Sequence, residues 1–423
     1  MSRLRGYLVP LLLILVSGTV VWHTWPRTRV EAAKVPLPLA LGTARVDLDA
    51  AEADVRSRLE RDASDVAAAV RLSEILLRRA RVESDASHAI EAERILTGIL
   101  THEPGEYSVL KQLGATYLSQ HRFQEAAGVA RRAIAVDERD AWNHGVLGDA
   151  SLELGRYEEA FDAFDAMVRL RPDAAAYARV AYAHELQGRL DAALHYMRMA
   201  TEATGAHDPE SLAWHHAQTG NLLFQMNRID EATREYARAN HVFPNHPYAR
   251  AGLARVAAAR GDYPEALSRY RALMADGETP ELAATIGDLL RQTGDSLNAE
   301  EMYARAEALE REGWKMEEPQ PAALARMFAE RGRRIEEAVT LAEQASRDRS
   351  DIYTMDTLAW AYFRAGRLDE ARLASLEAMR TGTADRRIRC HAMVIERALR
   401  QGSPSTDRTQ CRFEQWVTEF ETE

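Results

Sequence analysis

Between residues 141 and 174 apolar side chains recur at helical spacing: Leu147 and Leu152, then Phe161, Phe164 and Met167, with charged residues between them. That spacing predicts two amphipathic helices, from about Ala141 to Leu154 and from about Tyr157 to Leu170. Gly155 between them reaches the positive-φ conformation that ends a helix at low cost, and Pro172 stops the second helix. Gly148 and Ala160 are small, which lets the two helices approach closely. One such pair cannot bury its apolar face alone; stacking against neighbours does so.

The pattern recurs. "LGDASLELGRYEEA" (147–160) follows "LGATYLSQHRFQEA" (113–126) by 34 residues. The alanine closing each string is Ala126, Ala160, Ala193, Ala232, Ala266, Ala299, Ala338 and Ala371, at intervals of 34, 33, 39, 34, 33, 39 and 33. A period of this length predicts an extended all-α array rather than separate globules. The first long interval holds the polar insertion "TEATGAHDPE" (201–210); the second holds "EREGWKMEEPQPAA" (310–323), read as a bend or as a longer loop with unbroken stacking.

These residues resemble the tetratricopeptide repeat family. "LG" at 113–114 with Tyr117, Ala126 and Ala133 follows its pattern, as do Gly220, Ala232, Tyr236, Ala239 and Pro244, then Gly287, Ala299, Tyr303 and Ala306, and "TLAWAYFRAGRLDEA" (357–371). The resemblance covers about residues 107–380, and a weaker unit precedes it at 71–104. It implies a right-handed α-solenoid of eight or nine helix-turn-helix repeats and a protein-binding role. The expected organisation is a transmembrane helix at 1–26, a linker at 27–50, a divergent helix pair at 51–106, six repeats at 107–313, two more at 314–385, and capping helices at 386–423.

The N-terminus changes the picture. Arg3 and Arg5 precede an uncharged run from Gly6 to about Trp25, long enough to span a bilayer. The expectation is a single membrane anchor with the body on the periplasmic or extracytoplasmic side; removal of the segment as a secretion signal is the alternative. The net charge of −11 divides into +4 for residues 1–34 and −15 for 35–423. A body so acidic does not bind nucleic acid through its phosphates as its main task. With 46% hydrophobic and 28% charged residues, it is not a disordered chain.

In the family, set positions of each first helix face the concave groove. Mapped here they are Trp142, Asp149, Tyr182, Trp214, Asn221, Phe224, Tyr248, Arg255, Asp288, Arg291, Tyr353, Trp360 and Phe363. Aromatic and arginine side chains are frequent anchors of protein interfaces, and several of these could equally be packing between repeats. The expected partner is a protein or peptide in that groove. Seven of thirteen histidines fall between His184 and His246, which leaves a metal-handling module as an alternative, although no HExxH or Cys/His ligand spacing occurs. There is no GxSxG, GxxxxGK[ST], CxxC or CxxCH, so neither an enzyme nor a cofactor is expected.

The two cysteines, Cys390 and Cys411, stand near the C-terminus. In an exported protein they could pair, closing a loop worth roughly 3 kcal/mol in the chain-entropy description. If they do, a thiol reagent modifies neither in native unreduced protein and both after reduction. Modification of both before reduction refutes the pairing.

Overall fold

A computed structural model describes residues 45–83, 85–205, 208–315 and 321–401. The described residues are helical, without strands. The chain divides into two compact units, residues 1–43 and 44–423, and every helix described belongs to the second. That unit opens with α1 (Arg45–Arg61), then nine helix pairs: α2 (Val66–Glu83) with α3 (Ser87–His102), α4 (Tyr107–Ser119) with α5 (Phe123–Val136), and α6 (Ala141–Glu153) with α7 (Tyr157–Leu170). Next come α8 (Ala174–Leu186) with α9 (Leu190–Ala203), α10 (Pro209–Gln225) with α11 (Ile229–Val242), and α12 (Pro247–Ala259) with α13 (Tyr263–Asp276). The last pairs are α14 (Pro280–Gln292) with α15 (Ser296–Lys315), α16 (Pro321–Arg331) with α17 (Ile335–Asp348), and α18 (Ile352–Arg364) with α19 (Leu368–Ala378). A single helix, α20 (Arg386–Gln401), packs on α18 and α19.

Each first helix packs on its own second helix, and each pair on the next. Steric fit explains the repeated glycine. Gly148, Gly220 and Gly287 each stand where an added Cβ would collide with the aromatic ring 16 residues on: Phe164, Tyr236 and Tyr303. Tyr236 also fills the space left by Gly252 on the following pair, so one buried ring ties two repeats. Ala126, Ala160, Ala193, Ala232 and Ala266 are wholly buried on the second helices. Many first helices start on a side-chain cap: Asp140 accepts from Trp142 N–H at 3.0 Å and Asp173 from Ala176 N–H at 3.0 Å, each cap worth about 1 kcal/mol.

Both long intervals are partly helical. α10 has 17 residues and α15 has 20, against 13 or 14 in the regular helices, so each insertion is largely an extra turn of helix.

The array returns on itself, which the periodicity did not suggest. Ser350 Oγ donates to the Leu154 carbonyl at 2.8 Å, and the Ile352 N–H donates to the Tyr157 hydroxyl at 2.8 Å. Arg380 donates to the carbonyls of Gly155 (3.1 Å) and Ser350 (2.5 Å), and Arg349 pairs with Glu153. Behind these bonds Leu152, Tyr157, Phe164, Val180 and Leu186 share a core with Ile352, Ala378 and Ile388. Residues nearly 200 positions apart thus form one seam between α6–α8 and the C-terminal pair with its cap.

The expected membrane anchor is corrected. No helix among the described residues is long and apolar enough to cross a membrane, and the run from Gly6 to Trp25 lies outside them, as do most of the linker and any signal cleavage site. Single-helix anchoring, and the localisation built on it, is therefore not supported. Cys390 is not a free thiol; Cys411 lies outside the described residues, and their pairing is a proposal.

The seam gives a test through two glycines in the same strained conformation. Gly188 has φ +68° and an added Cβ would lie 2.5 Å from the Gly382 carbonyl oxygen across the seam; Gly261 has φ +76° with nothing within 4 Å. Leucine at either position costs about 1–3 kcal/mol of turn strain. Gly188→Leu alone also pries the seam apart, seen as a larger radius of gyration in X-ray scattering at unchanged helix content, whereas Gly261→Leu leaves the radius as it is.

Candidate functional site

Closure turns the inner face of the array into a cavity of about 1370 Å³. Its wall comes from α6, α8, α9, α10, α12, α14, α15 and α16, and from the start of α20 across the seam. Small-molecule pockets commonly measure about 300–1,000 Å³, so this space suits a larger occupant. Eight arginines and nine carboxylates are distributed around it.

Of the groove residues expected from the sequence, Tyr182, Trp214, Asn221, Phe224, Arg255 and Arg291 line the cavity, together with Asp149 and Asp288. Arg255 lies 4.4 Å over the Phe224 ring and donates to Asn221 Oδ1 and to the Tyr236 hydroxyl, both at 2.6 Å. The ring of Trp214 meets His215 edge-on at 5.2 Å. Arg291 approaches Asp288 at 3.4 Å.

The remaining five are elsewhere. Trp142 (46% exposed) and Tyr248 (57% exposed) stand at the starts of α6 and α12, outside the cavity lining. Trp360 and Phe363 are core residues: Trp360 stacks on His391 of α20 at 3.9 Å and on Phe363 at 4.8 Å. Tyr353 is half-buried against the seam core. Periodicity placed these residues on first helices correctly, but α20 covers the face of α18 where a further repeat would otherwise stack.

Charged residues complete the wall. The Asp288 carboxylate accepts from Arg331 at 2.5 Å and from the Tyr303 hydroxyl at 2.8 Å; burial nevertheless pushes its pKa up. Asp356, fully enclosed beneath the wall, pairs with His391 at 2.9 Å and Arg387 at 3.3 Å; burial opposes its charge, yet these partners hold it below the usual carboxylate range. Burial and the neighbouring Arg387 lower the pKa of Arg326. Burial pushes Glu185 up to about 7, helped by Asp385, and Glu310 up to about 7, helped by Glu281. Of these groups only Asp288 is among the expected groove residues. Glu185, Arg326 and Asp356 lie on first helices, where a charged residue looks like a solvated face until the array closes. Glu310 lies on a second helix, which the repeat pattern does not turn to the groove.

Four of the seven clustered histidines make contacts within the fold. His215 is buried, its Nδ1 2.9 Å from Thr204 Oγ1, and burial lowers its pKa to about 4. His216 pairs with Glu235 at 2.8 Å, His184 stacks on Tyr196, and His246 caps α12. Among the described residues no three His, Cys, Asp or Glu side chains converge as metal ligands.

Three family models, each described as tetratricopeptide repeat, match this chain: one over residues 111–175 and again over 146–208, one over 223–289 and one over 352–383. With the repeated glycine–aromatic fit, these matches identify the chain as a tetratricopeptide repeat protein. Among solved structures it is similar to a tetratricopeptide repeat protein from Parabacteroides merdae (18% identity, 59% of this chain and 97% of that one, TM-score 0.45). It is also similar to a human IFIT1 dimer with PPP-AAAA (16% identity, 73% of each chain, TM-score 0.47) and to pilF of Pseudomonas aeruginosa (18% identity, 50% and 95%, TM-score 0.40). No curated protein sequence matches. Tetratricopeptide repeats are in general scaffolds for protein–protein interaction, and the fold typically carries no catalysis.

Glu310 provides a signed pH test. It is 7% exposed, and its folded pKa of about 7 lies above its unfolded value, so the folded state holds the extra proton and loses stability as pH rises from about 4.5 to 7. Glu310→Gln therefore stabilises the protein at pH 8 by about 1–3 kcal/mol and leaves it unchanged at pH 4, measured by urea unfolding at both pH values.

Proposed function

We propose that this protein is a non-enzymatic scaffold that holds a segment of a protein partner inside the cavity. The observation that carries the reading is the cavity itself: about 1370 Å³ of space lined by eight of the thirteen groove residues expected from the repeat pattern, with charged groups of both signs among them. An extended peptide presents alternating side chains and unpaired backbone groups. It matches a long mixed wall of aromatic, amide and charged side chains better than a compact apolar ligand would. Trp214, Phe224 and Arg255 are the anchoring types that dominate such interfaces.

The reading is tested in cells by placing a photo-reactive residue at Trp214, at Tyr182 and, as an outside control, at Trp142. The expected result is one discrete crosslinked protein from 214 and 182, none from 142, and loss of the product when Ala175→Trp or Thr285→Trp fills the cavity. Equal capture from the outside position, or capture that ignores the filling substitutions, places the binding surface elsewhere.

A further inference from the structure

One corner of the cavity holds two neighbouring polar groups with no bonded partner among the described residues. Ala306 and Leu309 of α15 share a core with Leu324 and Ala325 of α16. That packing sets Glu310 beside Arg326 on the cavity wall, over an apolar floor of Ala284 and Met327.

Arg326 is the exception among the cavity's cations. Seven of the eight arginines in the wall hold a carboxylate, amide, hydroxyl or carbonyl oxygen. Arg326 has no hydrogen bond or ion pair among the described residues. The carboxylate one helical turn on, Glu330, would be its ordinary partner. Glu330 is instead turned to Arg331 (3.8 Å) and Arg387 (3.9 Å). Both of those guanidiniums press on the charge of Arg326, so an incoming anion is favoured there and an incoming cation is not. Glu281 of α14 acts on Arg326 and Glu310 without bonding either; it is exposed, and solvent screens its charge.

Glu310 is the second group. It is 7% exposed, it lines the cavity, and among the described residues no donor is bonded to its carboxyl. Burial, reinforced by Glu281, favours the protonated form. The corner therefore presents a guanidinium and a carboxyl O–H, both donors. Donors left enclosed without an acceptor cost free energy that a ligand can recover. A single carbonyl oxygen would leave Arg326 without a counter-charge. A carboxylate has two acceptor oxygens and the opposite charge, so it meets both donors at once.

We propose that Arg326 and Glu310 form a subsite that seats an aspartate or glutamate side chain of the partner segment. The guanidinium pairs with that carboxylate and the Glu310 O–H donates to it, while Ala284 and Met327 limit the water that would weaken both bonds. The subsite rests on the reading of the cavity as a peptide site and adds to it the chemistry of one recognised residue.

The test uses the full chain, immobilised, and phage displaying random dodecapeptides fused through their C-termini, so that no terminal carboxylate is offered. The chain carries a net charge of −11, and bulk electrostatics alone would select basic peptides. The expected result is a set of selected peptides sharing one aspartate or glutamate. Alanine at that position weakens binding by about tenfold or more, as for a charge-assisted bond. Arg326→Gln, which removes no bond to a described residue, abolishes the difference between the acidic and the alanine peptide. Glu310→Leu shrinks it, and the alanine peptide binds variants and parent alike. Peptides that lose binding with Ala175→Trp yet share no acidic residue overturn the carboxylate subsite while leaving the cavity reading intact. So does an acidic preference that survives Arg326→Gln or is untouched by Glu310→Leu. Selection of no peptide, or of peptides indifferent to Ala175→Trp, overturns both.

Discussion

The backbone N–H of Ile352 ends on the hydroxyl of Tyr157 at 2.8 Å, and the character of the inner face depends on that seam. A stack of helix pairs buries apolar surface between neighbours and leaves its concave side open. Here Leu152, Tyr157 and Phe164 meet Ile352, Ala378 and Ile388, so the array gains a further core where its C-terminal end returns. The polar bonds around that core involve main-chain carbonyls of Leu154 and Gly155, which sit at a helix end with no intrahelical partner. Closure therefore satisfies groups that a free end of α6 would leave to water.

Closure also changes what the same residues do. Glu185 is half-buried on the inner face, and burial with the nearby Asp385 pushes its carboxyl up, whereas Tyr182 beside it keeps 38% of its surface exposed to the cavity. The pairs that support the wall are consequently exacting. Asp288 with Arg331 and Asp356 with Arg387 and His391 each combine an enclosed carboxylate with enclosed donors. Such pairs add little net stability but are costly to break, since the surviving charge stays buried. They fix the rotamers of Arg331 and Arg387, and with them the outline of the space a partner would meet.

The sequence made the repeat legible because its physics is local. A glycine that must admit a ring 16 residues later recurs wherever a pair recurs, so Gly148, Gly220 and Gly287 announce themselves. Turn, cap and helix length follow from residues within one unit. The seam has no such signature. Ser350, Arg380 and Gly382 are single residues whose partners lie nearly 200 positions away or more, and nothing in a 34-residue period marks them. The same gap explains the groove residues. Trp214 and Trp360 occupy equivalent-looking places on first helices, but only the closed array shows that α20 lies over one and empty space over the other.

The N-terminal end of α20 joins the seam to the cavity wall. Asp385 caps the helix by accepting from the Ile388 N–H at 3.0 Å, Arg386 reaches the Gln225 carbonyl, and Arg387 joins the buried pair with Asp356. Three consecutive residues thus hold the cap helix, touch the far wall and anchor the near wall. Motion of α20 cannot leave the cavity unaltered, because the groups that position it are also groups that line it. A partner that engages both sides of the seam would feel that coupling directly, and its affinity would include the free energy of keeping the array closed.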